Sequence, residues 1–193
     1  MKIIAATQNE NKVREFGEIL SGFEILTEKD AGVDIDVEET GTTFEENSML
    51  KAKAVFAATG LPSIADDSGL EVDALGGEPG IYSARYGGAG LDDEGRVRLL
   101  LKNMENVADS DRTARFVCAI TYMDSDGVIT VRGECEGVIT RAPRGQNGFG
   151  YDPVFYIESL GKTTAELPAD EKNAVSHRGK ALRLLKEKLN KSK

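Results

Sequence analysis

A chain of 193 residues has room for one α/β domain, or two lobes sharing a sheet, with a substantial core. Charged residues make up 30% and apolar residues 40%, an ordinary soluble composition. The net charge of −9, with a pI near 4.8, sets up a field that repels nucleic-acid backbones and anionic membranes and so argues against a polymer-binding role.

A small anionic ligand stays open, because a few cations in a cleft outweigh the global charge locally. The opening residues 1–6 are too short for a signal peptide, and no apolar run approaches membrane-spanning length. Cys118 and Cys135 lack metal-site spacing and sit in β-like segments, the pattern of reduced core thiols in a cytosolic protein.

Residues 3–6 read as a buried strand that breaks at Thr7-Gln8-Asn9-Glu10-Asn11. A helix is predicted over residues 12–20, with Val13, Phe16, Ile19 and Leu20 on one face, and a second strand over 23–26. Thr43-Phe44-Glu45-Glu46 has the form of a capping box, opening a helix that carries Met49, Ala52, Val55 and Phe56 and stops at Gly60-Leu61-Pro62. A short strand then runs into Asp66 and ends in a Ser-Gly turn and a Gly-rich loop. Residues 92–104 form a helix presenting Val97, Leu100, Leu101 and Met104.

Residues 114–122 alternate with Phe116, Cys118, Ile120 and Tyr122 on one face, and Asp124-Ser125-Asp126-Gly127 turns them into 128–135, an antiparallel hairpin. A Pro/Gly/Arg loop over 141–150, a strand over 151–156 and a helix over 176–189 complete the chain, without repeat or linker. Mixed βα units and a hairpin give a mixed sheet flanked by helices.

The chemistry concentrates in a few places. Asp66-Asp67 at a strand end places two negative charges side by side, costly unless a cation or donors compensate them, and a hard metal such as Mg²⁺ suits them. Taken alone, an Asp-rich turn with both carboxylates in water fits as well. Thr7-x-Asn9-x-x-Lys12 joins the first strand to the first helix, where backbone N–H groups and the helix dipole favour an anion, although Thr and Asn are also turn and cap formers. It is not a Walker A loop.

Glu38-Glu39 adds carboxylates, and Lys51, just inside the following helix, has the reach for a phosphate. Gly148-Phe149-Gly150-Tyr151-Asp152-Pro153 combines close backbone approach, an aromatic face that stacks a base and an Asp that accepts from a ring N–H. Lys172 and Ser176-His177-Arg178 supply donors at the start of the last helix. His177 is the only histidine, which excludes a two-histidine metal site, and next to Arg178 it reads as a neutral recognition group.

Taken in order, Thr7-x-Asn9-x-x-Lys12, Glu39, Ala65-Asp66-Asp67-Ser68-Gly69-Leu70, Leu75-Gly76-Gly77-x-Pro79-Gly80, Phe149-Gly150-Tyr151-Asp152-Pro153 and Ser176-His177-Arg178 resemble the inosine triphosphate pyrophosphatase family. The likeness spans nearly the whole chain. It implies Mg²⁺-dependent hydrolysis of inosine, deoxyinosine and xanthosine triphosphates to monophosphate and pyrophosphate. It also implies one domain over residues 1–193, built as a long twisted mixed sheet with two lobes and a cleft between them, and a cytoplasmic homodimer.

Carried over residue by residue, Thr7, Asn9, Lys12 and Lys51 would hold the triphosphate. Glu39 and Asp67 would hold the metal, with Asp67 also the base, and Ser68 would touch the ligand. Phe149 would stack on the purine, while Gly150, Tyr151, Asp152, Lys172, His177 and Arg178 would close around it. One departure is Gln8, where many relatives carry Gly before the Asn.

A Maf-type nucleotide pyrophosphatase is the alternative enzyme, less well matched at Ser176-His177-Arg178 and at the Phe149 loop. A nucleotide-binding module without catalysis is a further alternative, opposed by the presence of Glu39, Asp66, Asp67, Lys12 and Lys51 together.

Overall fold

The computed structural model describes residues 1–191; positions 192 and 193, the end of the domain read from the sequence, lie outside the described residues. Ile3, Ile4 and Ala5 in strand β1 (Lys2–Ala5) are all fully buried, as a parallel strand covered on both faces requires. It pairs in parallel with β2 (Glu24–Thr27) and with β3 (Ser63–Val72).

The remaining strands are β4 (Thr113–Asp124), β5 (Gly127–Ile139), β6 (Phe155–Ile157) and β7 (Lys162–Thr163). They complete a seven-stranded sheet in the order β2-β1-β3-β4-β5-β6-β7, antiparallel from β5 through β7. The sheet is mixed, as the sequence implied, and it is open. Five helices accompany it among the described residues: α1 (Glu10–Ile19), α2 (Phe44–Thr59), α3 (Asp93–Asn103), α4 (Ala169–Val175) and α5 (His177–Lys191).

The chain forms two compact units, the first made of Met1–Ser68, Cys118–Gly133 and the segment from His177, the second of Gly69–Val117 and Glu134–Ser176. In the first unit, successive strand residues sort helices onto opposite faces. Ile3, Ala5 and Ile64 pack with Phe16 and Leu20 of α1 and with Ala181, Leu182 and Leu185 of α5. Ile4, Ala6 and Ala65 pack with Ala52 and Val55 of α2. The two-residue period of a strand produces this two-sided layering. The second unit has its own core, where Val97, Leu100 and Met104 meet Leu70, Val72, Phe116, Phe155 and Leu167.

Four local expectations change. Strand β3 does not stop at Asp66 but continues through Asp67, Ser68 and Gly69 to Val72, because Leu70 and Val72 each bury completely. That burial outweighs a glycine's cost of about 0.5–1 kcal/mol within a strand. Thr43 caps α2 by accepting from Glu46 N at 3.1 Å, but the Glu46 carboxylate accepts from Thr42 N and Oγ1 rather than from Thr43 N, so the box is offset by one residue. The segment expected as a strand over 151–156 begins as a 3-10 turn, Asp152–Val154, before β6. Lys172 sits on α4, a separate helix that ends at Val175 and is capped by Ser176, and not at the start of α5.

Candidate active site

Two polar clusters hold the residues singled out above, one in each unit. The first grows from β3. Asp66 is fully buried, and its Oδ2 accepts from Arg178 Nε and Cys118 Sγ, each at 2.9 Å. Its Oδ1 accepts from Ser68 Oγ at 3.0 Å and pairs closely with Lys12 Nζ. Arg178 goes on to donate through Nη1 to Glu15 Oε2 at 2.7 Å and through Nη2 to Ser68 Oγ at 2.9 Å.

Asp66 is therefore the hub of a buried network. Burial alone would raise its carboxyl, but Arg178 and Lys12 outweigh that and hold it well below the usual aspartate range. Arg178, expected to read the base, has its guanidinium on two carboxylates and a hydroxyl of its own unit.

Asp67 points to the other side of the strand and lives differently. Burial, with the Glu39 and Asp66 charges, raises its carboxyl despite the opposing Lys51. Lys51 Nζ lies 2.8 Å from Glu39 Oε1, 3.4 Å from Asp67 Oδ1 and 2.8 Å from the Asp66 carbonyl oxygen. Burial presses on that ammonium, but Asp67, Glu39 and Asp66 together raise it, so it stays charged.

Asp67 Oδ2 is buried without a hydrogen-bond partner, a costly state for a carboxylate oxygen unless a cation completes it. A hard divalent ion fits that donor set: oxygens only, two carboxylates, with the remaining ligands taken from water and phosphate. Among the described residues no group of three or more His, Cys, Asp or Glu is preassembled as a metal cage.

The Thr7 loop adjoins this cluster in sequence through Lys12. Asn9 caps α1, its Oδ1 accepting from Asn11 N at 3.0 Å and Lys12 N at 3.3 Å, and Thr7 Oγ1 accepts from Asn9 N at 3.2 Å. The cap fixes the turn that aims Lys12. Gln8, the departure from the family pattern, donates to Asp34 Oδ1 at 3.3 Å.

In the second unit the Phe149 loop is braced from below. Asp152 Oδ2 accepts from Phe149 N at 2.9 Å and Lys172 Nζ at 2.7 Å, and Oδ1 from Thr164 Oγ1 at 2.8 Å. Lys172 Nζ also stands 4.7 Å from the centre of the Phe149 ring. Gly148 has φ +75°, and a Cβ there would lie 2.0 Å from Asp152 Oδ2, so only glycine permits the loop. Gly150 N donates to Asp93 Oδ2, and the buried Tyr151 hydroxyl donates to Ser83 O, each at 2.8 Å.

Asp152, the residue expected to accept from the base, orders the loop that carries Phe149. His177 opens α5 and is buried. Sequence reading missed Glu15, Cys118 and Thr164. Glu15 carried one signal, being three residues beyond Lys12 on the same helical side.

The chain resembles known proteins over nearly its full length. The family model described as Ham1 family matches residues 3–188. A protein of Shigella flexneri named dITP/XTP pyrophosphatase is 51% identical across 97% of this chain and 98% of its own length. Its namesake from Escherichia coli (strain K12) is 50% identical over the same shares. Among solved structures, the Staphylococcus aureus Ham1 protein superposes with a TM-score of 0.91 at 43% identity, covering 100% of both chains. A Coxiella burnetii HAM1 protein gives 0.90 at 43%, covering 99% of each.

Proposed function

The chain belongs to the Ham1 family, and from that premise we propose that it hydrolyses deaminated purine nucleoside triphosphates (ITP, dITP and XTP) to the monophosphate and pyrophosphate, with Mg²⁺. The single observation that carries the chemistry is the buried cluster around β3. Two lysines and three carboxylates (Asp66, Asp67 and Glu39) converge there, and one carboxylate oxygen lacks any protein partner. Glu39 and Asp67 would hold the ion, which when bound polarises phosphate oxygens and stabilises charge on the leaving pyrophosphate.

The reaction needs water to attack the α-phosphorus and charge to leave on the oxygen bridging to the β-phosphate. Asp67 orients that water and accepts its proton. Lys12 and Lys51 offset the growing charge on the leaving group, and Thr7 with the α1 N-terminus holds phosphate oxygens. Asp66 stays ionised and keeps Lys12, Ser68 and Arg178 in place. No side chain need act as nucleophile.

Phe149 offers its face to the purine, and Asp152 and Lys172 fix the ring. The 6-keto purines present an O6 acceptor and an N1–H donor, the reverse of adenine. Donors that face O6 penalise an adenine amino group by roughly 1–3 kcal/mol per buried unpaired group. The Maf alternative has no observation in its favour.

A homodimer in the cytosol completes the proposal. Cys118 and Cys135 are buried thiols outside any disulfide, as a reducing compartment allows, and no helix among the described residues is long and apolar enough to cross a membrane. Sedimentation reads the assembly state. Pyrophosphate release with Mg²⁺, compared across ITP, XTP, dITP, GTP, ATP and TTP, tests the activity. The expected order has the deaminated purines far ahead, and equal rates on ATP or TTP overturn the substrate class.

A further inference from the structure

Lys51 stands where a divalent cation would need to be. Glu39 lies in the segment before α2, Asp67 in the middle of β3, and Lys51 near the middle of α2. What gathers the two carboxylates is an ammonium, 2.8 Å from Glu39 Oε1 and 3.4 Å from Asp67 Oδ1, with the Asp66 carbonyl oxygen as a third acceptor at 2.8 Å. An ammonium and a hard divalent ion ask for the same thing, a compact set of oxygen acceptors. The side chains of Lys51, Glu39 and Asp67 are 16%, 23% and 9% exposed, so water does little to neutralise the carboxylates and a cation must. The oxygen this ammonium leaves unused is Asp67 Oδ2, which has no partner at all.

We infer that Lys51 is a placeholder: without metal its ammonium holds Glu39 and Asp67 as a surrogate counter-ion, and an arriving divalent cation displaces it toward the phosphates of the nucleotide. The inference rests on the metal reading of these two carboxylates. Its charge balance is simple, and no proton moves. The carboxylates contribute two negative charges and Lys51 one positive. A divalent ion therefore takes the local sum from −1 to +1, and the freed ammonium then needs a polyanion.

The four-carbon stem lets the ammonium swing without moving α2. Metal and lysine compete for the same oxygens in the free enzyme, while metal and nucleoside triphosphate help each other, since the nucleotide gives the displaced ammonium new acceptors.

The test uses Mn²⁺ alone, without nucleotide, followed by the electron paramagnetic resonance signal of the free ion. Lys51→Met should bind Mn²⁺ about tenfold or more tightly than wild type, because the competing charge is gone, whereas Lys51→Arg should stay near wild type. Adding Glu39→Gln to Lys51→Met should remove the gain.

If Lys51→Met matches wild type while Glu39→Gln still weakens binding, the placeholder fails and the metal site stands. If Glu39→Gln changes nothing in either background, the metal reading fails with it. The Lys51 ammonium resonance of wild-type protein gives a reading that needs no substitution. Mg²⁺ should shift it, and a resonance unmoved at saturating Mg²⁺ overturns the inference.

Discussion

Asp66 and Asp67 are neighbours in sequence with opposite physics, because alternation along β3 sends them to different surroundings. Asp66 is surrounded by donors and cations. Asparagine there would leave Lys12 without its buried carboxylate and Arg178 with Glu15 alone, and breaking a buried pair of this kind costs roughly 3–5 kcal/mol, on the order of 10 °C in a chain this size. Asp67→Asn should leave the melt nearly unchanged but reduce turnover by about 10³-fold, equivalent to about 4 kcal/mol of transition-state stabilisation. Thermal melting and steady-state rates on both variants separate the roles, and the reverse pattern would exchange them.

The pH dependence follows from the same contrast. The Asp67 carboxyl is raised, chiefly by burial, so the folded protein holds its proton to higher pH than the unfolded chain does. Stability therefore falls as pH rises from the ordinary aspartate value through the raised one. Activity has the opposite sign, since only the carboxylate binds metal or accepts a proton. The acid limb of kcat/KM should lie above the ordinary aspartate range at low Mg²⁺ and move to lower pH as Mg²⁺ increases. A limb fixed in position across Mg²⁺ concentrations would detach Asp67 from the metal.

Glycines on secondary elements divide into those the packing demands and those it merely tolerates. Gly133 of β5 lies against the first turns of α5, where a Cβ would stand 2.2 Å from His177 O and 2.7 Å from Ala181 N. Backbone cannot give way as a side chain can. Gly133→Ala should therefore push out the helix start that carries His177 and Arg178, with a stability loss of about 1–3 kcal/mol and a matching fall in activity. Gly17 lies inside α1 and its Cβ would meet nothing within 4 Å, so Gly17→Ala should raise stability by about 0.5–1 kcal/mol. Paired melting curves check both signs.

Legibility in the sequence followed the length of each pattern. The periodic helices α1, α2, α3 and α5 and the β4–β5 hairpin were readable because many residues repeat one signal. Helix α4 has only seven residues after Pro168, too few for a period to declare itself, and so the sequence pattern alone merges Lys172 with the start of α5. The continuation of β3 was hidden because Ser68-Gly69 is the chemistry of a turn, and only long-range burial of Leu70 and Val72 overrides it.

At the scale of the whole molecule, the sequence order of the motifs identified the family, but not how individual side chains are employed. Arg178 and Asp152 carry the residue types of base recognition, yet pairing with Asp66 and Glu15, and with Lys172 and Thr164, depends on partners 12 to 163 positions away that no spacing encodes. A buried charge takes the partner that the fold supplies.

The overall charge of −9 leads to a prediction about which deaminated purines the protein meets. A long-range negative field slows the approach of a polyanionic strand, and the attraction of Lys12 and Lys51 acts only close to the β3 cluster, within roughly a Debye length of 8 Å at physiological salt. In the proposed reaction a free triphosphate would satisfy both lysines at once with its terminal phosphates. An inosine inside a DNA strand carries a single diester on each side and offers no pyrophosphate to release. Addition of an inosine-containing oligonucleotide, single- or double-stranded, should therefore leave ITP hydrolysis unchanged even when its inosine concentration equals that of ITP. It should also yield no strand cleavage on a denaturing gel. Competitive inhibition that weakens with added salt would reveal a cationic track for polymers, and the purely nucleotide-directed reading would then be overturned.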